Sequence, residues 1–203
     1  RFNGAIVALF DAVSRPRFIE CHRLSPFPNR GDDVSVILDL MIHDLDIVCA
    51  LDKSEVVSVD AVGVPVLSEQ EDIANARIRF ASGCVANVTA SRVSMERMRK
   101  IRVFEENAYL SVNFTAQDVR VYRKKTGPLT DDMLPMDLID MESVEVKREE
   151  PLKMELDSFL ACVCDRTRPL VNGEDGLAAL KLAQRVVNFV RENGVSAGAG
   201  QGA

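Results

Sequence analysis

Apolar residues at Val34, Val36, Ile37, Leu38, Leu40, Met41, Ile42, Leu45, Ile47, Val48 and Leu51 are spread too evenly around a helix for a surface element. Residues 34–51 therefore predict a helix buried on most sides, capped by Asp32 or Asp33. Its polar positions break the pattern. Ser35, Asp39, His43 and Asp46 are spaced by four, four and three, which stacks them along one line, with Asp44 on the flank. Upstream, residues 4–14 read as a short helix ended by Pro16, residues 17–24 as a strand, and residues 25–31 as an irregular loop. Downstream, short β-rich runs at 55–66, 74–81, 85–93, 100–105, 109–113, 119–123 and 143–147 predict an antiparallel meander. Turn signals fall at Ala81-Ser82-Gly83-Cys84 and Glu106-Asn107, and residues 126–141 form a long connection.

Two helices close the chain. The first, 151–165, has Pro151 at its first position and an apolar face of Leu152, Leu156, Phe159, Leu160 and Val163. The second, 173–192, starts behind Glu174 and Asp175, whose charges suit a helix amino end. The sum is an α+β domain: a mostly antiparallel, open sheet of six or so strands with helices on one face. Residues 1–193 form that domain, and the Gly/Ala/Ser-rich residues 194–203 a flexible tail. The other sheet face, read from Val57, Val59, Ala61 and Gly63 with Val85, Asn87, Thr89 and Ser91, is small and weakly polar. It is a candidate interface for a homodimer or homotetramer.

Composition narrows the class. A chain of 203 residues with 47% hydrophobic content can bury a full core. Its net charge of −6 argues against a dedicated nucleic-acid or polybasic membrane surface. No apolar run approaches the roughly 20 residues that span a bilayer. Five cysteines, an odd number placed in helices and strands, suit reduced thiols and a cytoplasmic setting. The opening Arg1-Phe2-Asn3-Gly4 runs straight into a helical pattern without an initiating methionine, which predicts a piece of a longer polypeptide.

A polar line on a buried helix must face a cavity, a partner or water, because an unpaired buried charge is costly. His43 titrates near neutrality, and a carboxylate one turn away would orient it and support its charged form, the arrangement of a general acid/base. A metal site on the same geometry, with imidazole and carboxylate ligands as for zinc, is the weaker option: the second histidine, His22, lies in another element and no Cys-x-x-Cys pair exists. The structural alternative is a buried hydrogen-bond network of Asp39, His43 and Asp46 with no chemistry. Arginines near the helix would suit phosphate oxygens through forked hydrogen bonds.

Arg1-Phe2-Asn3, the segment Asp39 to Asp46, the segment Glu150 to Phe159 and Asn172 to Gly176 occur in an order that resembles the carboxy-terminal domain of the Gfo/Idh/MocA family of NAD(P)-dependent oxidoreductases. That resemblance implies a catalytic Asp-x-x-x-His pair, with His43 as proton acceptor from a sugar hydroxyl and Asp39 orienting it or binding substrate. Within the family the chain is similar to the UDP-N-acetylglucosamine 3-dehydrogenase-like members, on His22-Arg23-Leu24, Pro26-Phe27, Arg30-Gly31, the segment Asp39 to Asp46, and Ala90 to Ser94 with Arg97 and Arg99. It implies substrate contacts from Arg23, Asn29, Arg30, Asp46 and Arg92 to a sugar or nucleotide sugar.

By the same resemblance NAD or NADP binds mainly in an N-terminal Rossmann domain that this sequence lacks. No Gly-x-Gly-x-x-Gly follows a strand, and Gly198-Ala199-Gly200-Gln201-Gly202 sits in the tail. The fragment alone is expected to be inactive. Alternatives are a non-catalytic binding or oligomerisation module, or a lyase or isomerase using the same base. An open cleft beside His43 lined by Arg23, Asn29 and Arg92 would favour the dehydrogenase; a sealed histidine bonded only to backbone would favour the module.

Overall fold

The computed structural model describes residues 1–27, 33–125 and 135–193. Helix α1 (Gly4–Ala12) starts at Asn3, whose side chain accepts from the Ala5 N–H. Strand β1 (Phe18–Leu24) follows, then a π-helical turn (Ile37–Met41) running into α2 (Ile42–Leu51). Six strands come next: β2 (Val56–Val64), β3 (Ile73–Phe80), β4 (Val85–Ser91), β5 (Met98–Phe104), β6 (Ala108–Asn113) and β7 (Asp118–Lys124). A 3-10 turn (Pro135–Leu138) leads into β8 (Ile139–Val144), and α3 (Pro151–Asp165) and α4 (Gly173–Asn193) close the described chain.

The eight strands form one open sheet in the order β2-β3-β4-β1-β5-β6-β7-β8. This corrects the expectation of six or so strands in an uninterrupted meander. β1 lies between β4 and β5, parallel to the former and antiparallel to the latter, while the other pairs are antiparallel. The central place suits the parity of β1: Ile19, Cys21 and Arg23 alternate inward, beside buried neighbours on both sides, Ala86, Val88 and Ala90 on β4 with Ile101 and Val103 on β5.

Helices cover one face. α4 lies across α2 and β2, α2 over β1 and β4, and α1 over β6 and β7. α4 buries Ala179, Leu182, Ala183, Val186, Val187 and Val190, the i, i+3, i+4 stripe its periodicity requires. At Gly63 an added Cβ would stand 2.7 Å from Glu71 Cγ and 3.0 Å from Val190 Cγ1, so β2 passes α4 too closely for a larger residue. Gly83, at φ +90°, makes the β3–β4 turn foreseen at Ala81–Cys84.

Two expectations about faces change. Val59 and Ala61 pack toward the helical layer, as does Gly63, whereas Asn87 and Thr89 face the other way, where Asn75 Nδ2 donates to Thr89 Oγ1 at 2.8 Å. The open face instead carries a stacked aromatic row, Phe18, Phe104, Tyr109 and Tyr122, crossing four strands in register with centroid spacings of 5.7, 4.8 and 5.1 Å. α3 is the other surprise. Glu150 accepts from the Leu152 and Lys153 N–H groups and fixes its start, yet Leu152, Leu156, Phe159, Leu160 and Val163 all face solvent.

Candidate active site

The polar line expected on one helix is divided by the π turn. The Ile42 N–H bonds to the Ile37 carbonyl, five residues back, and the extra residue re-aims everything upstream of Ile42 relative to α2. Ser35 is turned inward, its hydroxyl accepting from the Ile37 N–H at 3.2 Å. Asp39 and His43 are exposed, and no hydrogen bond joins them among the described residues. π turns inside α-helices recur at functional sites, and this one contains Asp39 and ends two residues before His43.

His43 is exposed and, among the described residues, bonded to no backbone group. Partial covering of the ring is the largest influence on it and lowers its pKa; the Arg23 charge lowers it further, while Asp44 and Asp39 work the other way. The result is an accessible imidazole held neutral around pH 7, the form that accepts a proton. The cysteines offer no competing nucleophile nearby: burial pushes the Cys49 thiol up to about 11 and that of Cys84 up to about 12.

Asp44 is not a spared flank residue. It is 2% exposed, and Arg23 from β1 donates to it from Nε and from Nη2, each at 2.8 Å. The guanidinium also lies 5.7 Å from the centre of the Phe114 ring. Arg23 is thus engaged by a buried carboxylate rather than presented to a phosphate. The sequence held the signal: Arg23 shares the inward parity of Ile19 and Cys21, so it needed a buried partner.

Arg92 departs further from its expected place. It is wholly buried, donating from Nε to Asp72 Oδ1 at 2.7 Å, from Nη1 to the Val34 carbonyl at 2.6 Å and from Nη2 to Ser68 Oγ at 2.9 Å. Asp72 also accepts from the N–H groups of Val66, Leu67 and Ser68. Burial alone would raise its pKa, but these bonds and Arg92 outweigh that and hold the carboxyl well below the usual carboxylate range. In this structure Arg92 ties the entry of the π turn to the β2–β3 connection.

Asp46 is half-buried and held by Arg1, whose Nε and Nη2 donate to it at 2.7 and 2.6 Å; Asp175 of α4 stands 3.8 Å from the same Nη2. Asn29 and Arg30 lie outside the described residues, so the cleft expected from Arg23, Asn29 and Arg92 is not formed by the two that are described. Arg97 and Arg99, near the start of β5, are exposed. A cleft of about 860 Å³ opens elsewhere, between α1, the end of α2 and residues 170–175; Arg1, Phe10, Cys49, Lys53, Leu170 and Asp175 line it, and His43 does not.

The residues from α1 to β6 that frame this site, 11–111, match the family model described as the GFO/IDH/MocA C-terminal domain. A UDP-N-acetylglucosamine 3-dehydrogenase from Acidithiobacillus ferrooxidans is 35% identical over 187 residues, 92% of this chain. The chain belongs to the GFO/IDH/MocA family. It spans 58% of the length of that curated relative. In a solved structure of the Acidithiobacillus ferrooxidans enzyme the match covers 95% of this chain and 59% of that one, with a TM-score of 0.84 at 33% identity. A levoglucosan dehydrogenase in complex with NADH and levoglucosan matches over 94% of this chain and 61% of its own, with a TM-score of 0.74 at 15% identity, a likeness of fold.

Proposed function

We propose that this GFO/IDH/MocA domain is the substrate-facing, proton-accepting part of an NAD(P)-dependent dehydrogenase that oxidises a hydroxyl of a sugar or nucleotide sugar. The observation that carries this is His43: an accessible imidazole at a π junction, kept in its neutral form by partial burial and by Arg23. In the reaction the substrate hydroxyl would give its proton to His43 as its carbon becomes a carbonyl, and the hydride leaving that carbon would be taken up by the NAD(P)+ bound in the complete enzyme. Asp39, one turn away, adds negative charge that supports the imidazolium so formed. The finer reading, oxidation at C3 of a UDP-linked amino sugar, rests on the 35% identical relative.

Among the described residues no glycine-rich turn links a strand to a helix, so those residues do not build a dinucleotide cradle. NAD or NADP would be held mainly by residues outside this chain, and the apolar stripe of α3 is the surface suited to carry such a neighbour. The Phe18–Tyr122 aromatic row favours a second role alongside the first, association of two copies through the open sheet face.

The test is His43→Asn in the complete enzyme that carries this domain, with UDP-N-acetylglucosamine and other sugars as substrates and NAD(P)H absorbance as readout. Turnover should fall by roughly 10²–10⁴ with little change in KM. Wild-type turnover in that variant would make the domain a binding or assembly module.

A further inference from the structure

We infer that Arg23 and Asp44 are positioning residues for His43, clamping the helical turn that carries the imidazole to the centre of the sheet and setting the charge balance around the ring. This rests on the reading of His43 as the proton acceptor. Asp44 follows His43 directly in α2, and successive helical side chains diverge by about 100°. One carboxylate therefore points inward, 2% exposed, while the imidazole before it stands in solvent.

The inward carboxylate is gripped by two parallel hydrogen bonds of 2.8 Å from a guanidinium on β1. A fork of this kind fixes orientation as well as distance, which a single contact cannot do. β1 is flanked by β4 and β5 within the eight-stranded sheet, so its backbone is held from both sides. The rotation of α2 about its axis at residue 44, and with it the direction of His43, is thereby referred to a rigid element.

The pair also acts through charge. Facing His43 are Arg23 from β1, Asp44 and Asp39 from its own helical segment, and the α-amino group at Arg1. Arg23 disfavours the imidazolium more than Asp44 favours it, so the two partners bias the ring in opposite directions. Removing the two charges one at a time therefore shifts the ring in opposite directions, and a variant that keeps the charge but loses the fork separates orientation from charge.

The test is NMR titration of the imidazoles in this chain, which has two histidines, with His22→Gln assigning the signals. Every variant keeps the same amino end, so differences report the pair. Asp44→Asn should lower the His43 pKa below wild type and Arg23→Gln should raise it. The double variant Arg23→Met with Asp44→Leu replaces the pair with apolar groups, a change buried pairs often tolerate, and should also raise it. Arg23→Lys keeps the charge and loses the fork: in the complete enzyme it should leave the titration nearly in place while turnover drops on the order of 10²-fold at similar KM. If the single variants do not fold, the double variant and Arg23→Lys decide. Shifts of one sign in both singles, no shift in the double variant, or full turnover in Arg23→Lys would overturn the inference. Retained turnover in His43→Asn would instead sink the functional reading and leave the titration result standing.

Discussion

The Arg92–Asp72 pair offers the sharpest test of how this domain holds its site. Both side chains are fully buried, so breaking the pair takes a buried carboxylate away from a buried guanidinium. Asp72→Asn leaves a guanidinium that cannot give up its proton, and it weakens the carboxylate's bonds to the N–H groups of Val66, Leu67 and Ser68. The expected cost is about 3–5 kcal/mol, a fall in Tm of roughly 6–20 °C for a domain of this size. Arg92→Met should cost less, about 1–3 kcal/mol, because the remaining carboxylate keeps its backbone donors and the Ser68 hydroxyl.

Acid should narrow the gap. Asp72 has its folded pKa depressed, so its contribution is fully present above the unfolded value of about 3.9 and is lost as pH falls toward the folded one. The difference between wild type and Asp72→Asn should be constant from pH 7 to about 5 and shrink below about 4. Urea unfolding at a series of pH values measures this. An Arg92→Met cost equal to or above that of Asp72→Asn, or both costs under about 1 kcal/mol, would refute the reasoning. In the complete enzyme Arg92→Met should leave KM near wild type, whereas a substrate contact would raise it several-fold.

This chain alone should show no micromolar binding of NAD(H) or NADP(H) by calorimetry, and a clear binding isotherm would count against a cofactor site outside it. Tyr109→Glu, placed mid-way along the stacked row, should convert a dimer to monomer in sedimentation at high micromolar concentration; an unchanged dimer would move the interface off the open face.

Much of the fold could be read from periodicity, and the failures have physical causes. α3 and α4 were expected within a residue of their observed ends because Pro151 and the acidic pair Glu174, Asp175 punctuate them. β8 was expected at 143–147 and lies at 139–144: it is an edge strand whose first five residues are exposed, so no burial alternation marks its start. The place of β1 was hidden for another reason. A strand that crosses over to lie between two later ones is selected by tertiary packing, which no local pattern encodes.

The site divides along the same line. His43 and Asp39 stand out in the sequence because chemistry-bearing residues at helical spacing interrupt an apolar run, a local signal. Arg23 and Arg92, expected from the sequence beside a substrate, are engaged by Asp44 and Asp72, and strand parity already turns Arg23 inward toward its carboxylate. The line of Ser35, Asp39 and His43 is broken by the wide turn at Ile37–Met41, which no local pattern marks. Asp44 follows His43 within regular α2, and the angle of about 100° between successive helical side chains sets an inward carboxylate beside an outward imidazole. A helix that must bury Leu45, Ile47 and Val48 can keep an ionised Asp44 among them only if a cation reaches it from the layer beneath, and Arg23 on the central strand is the cation that does.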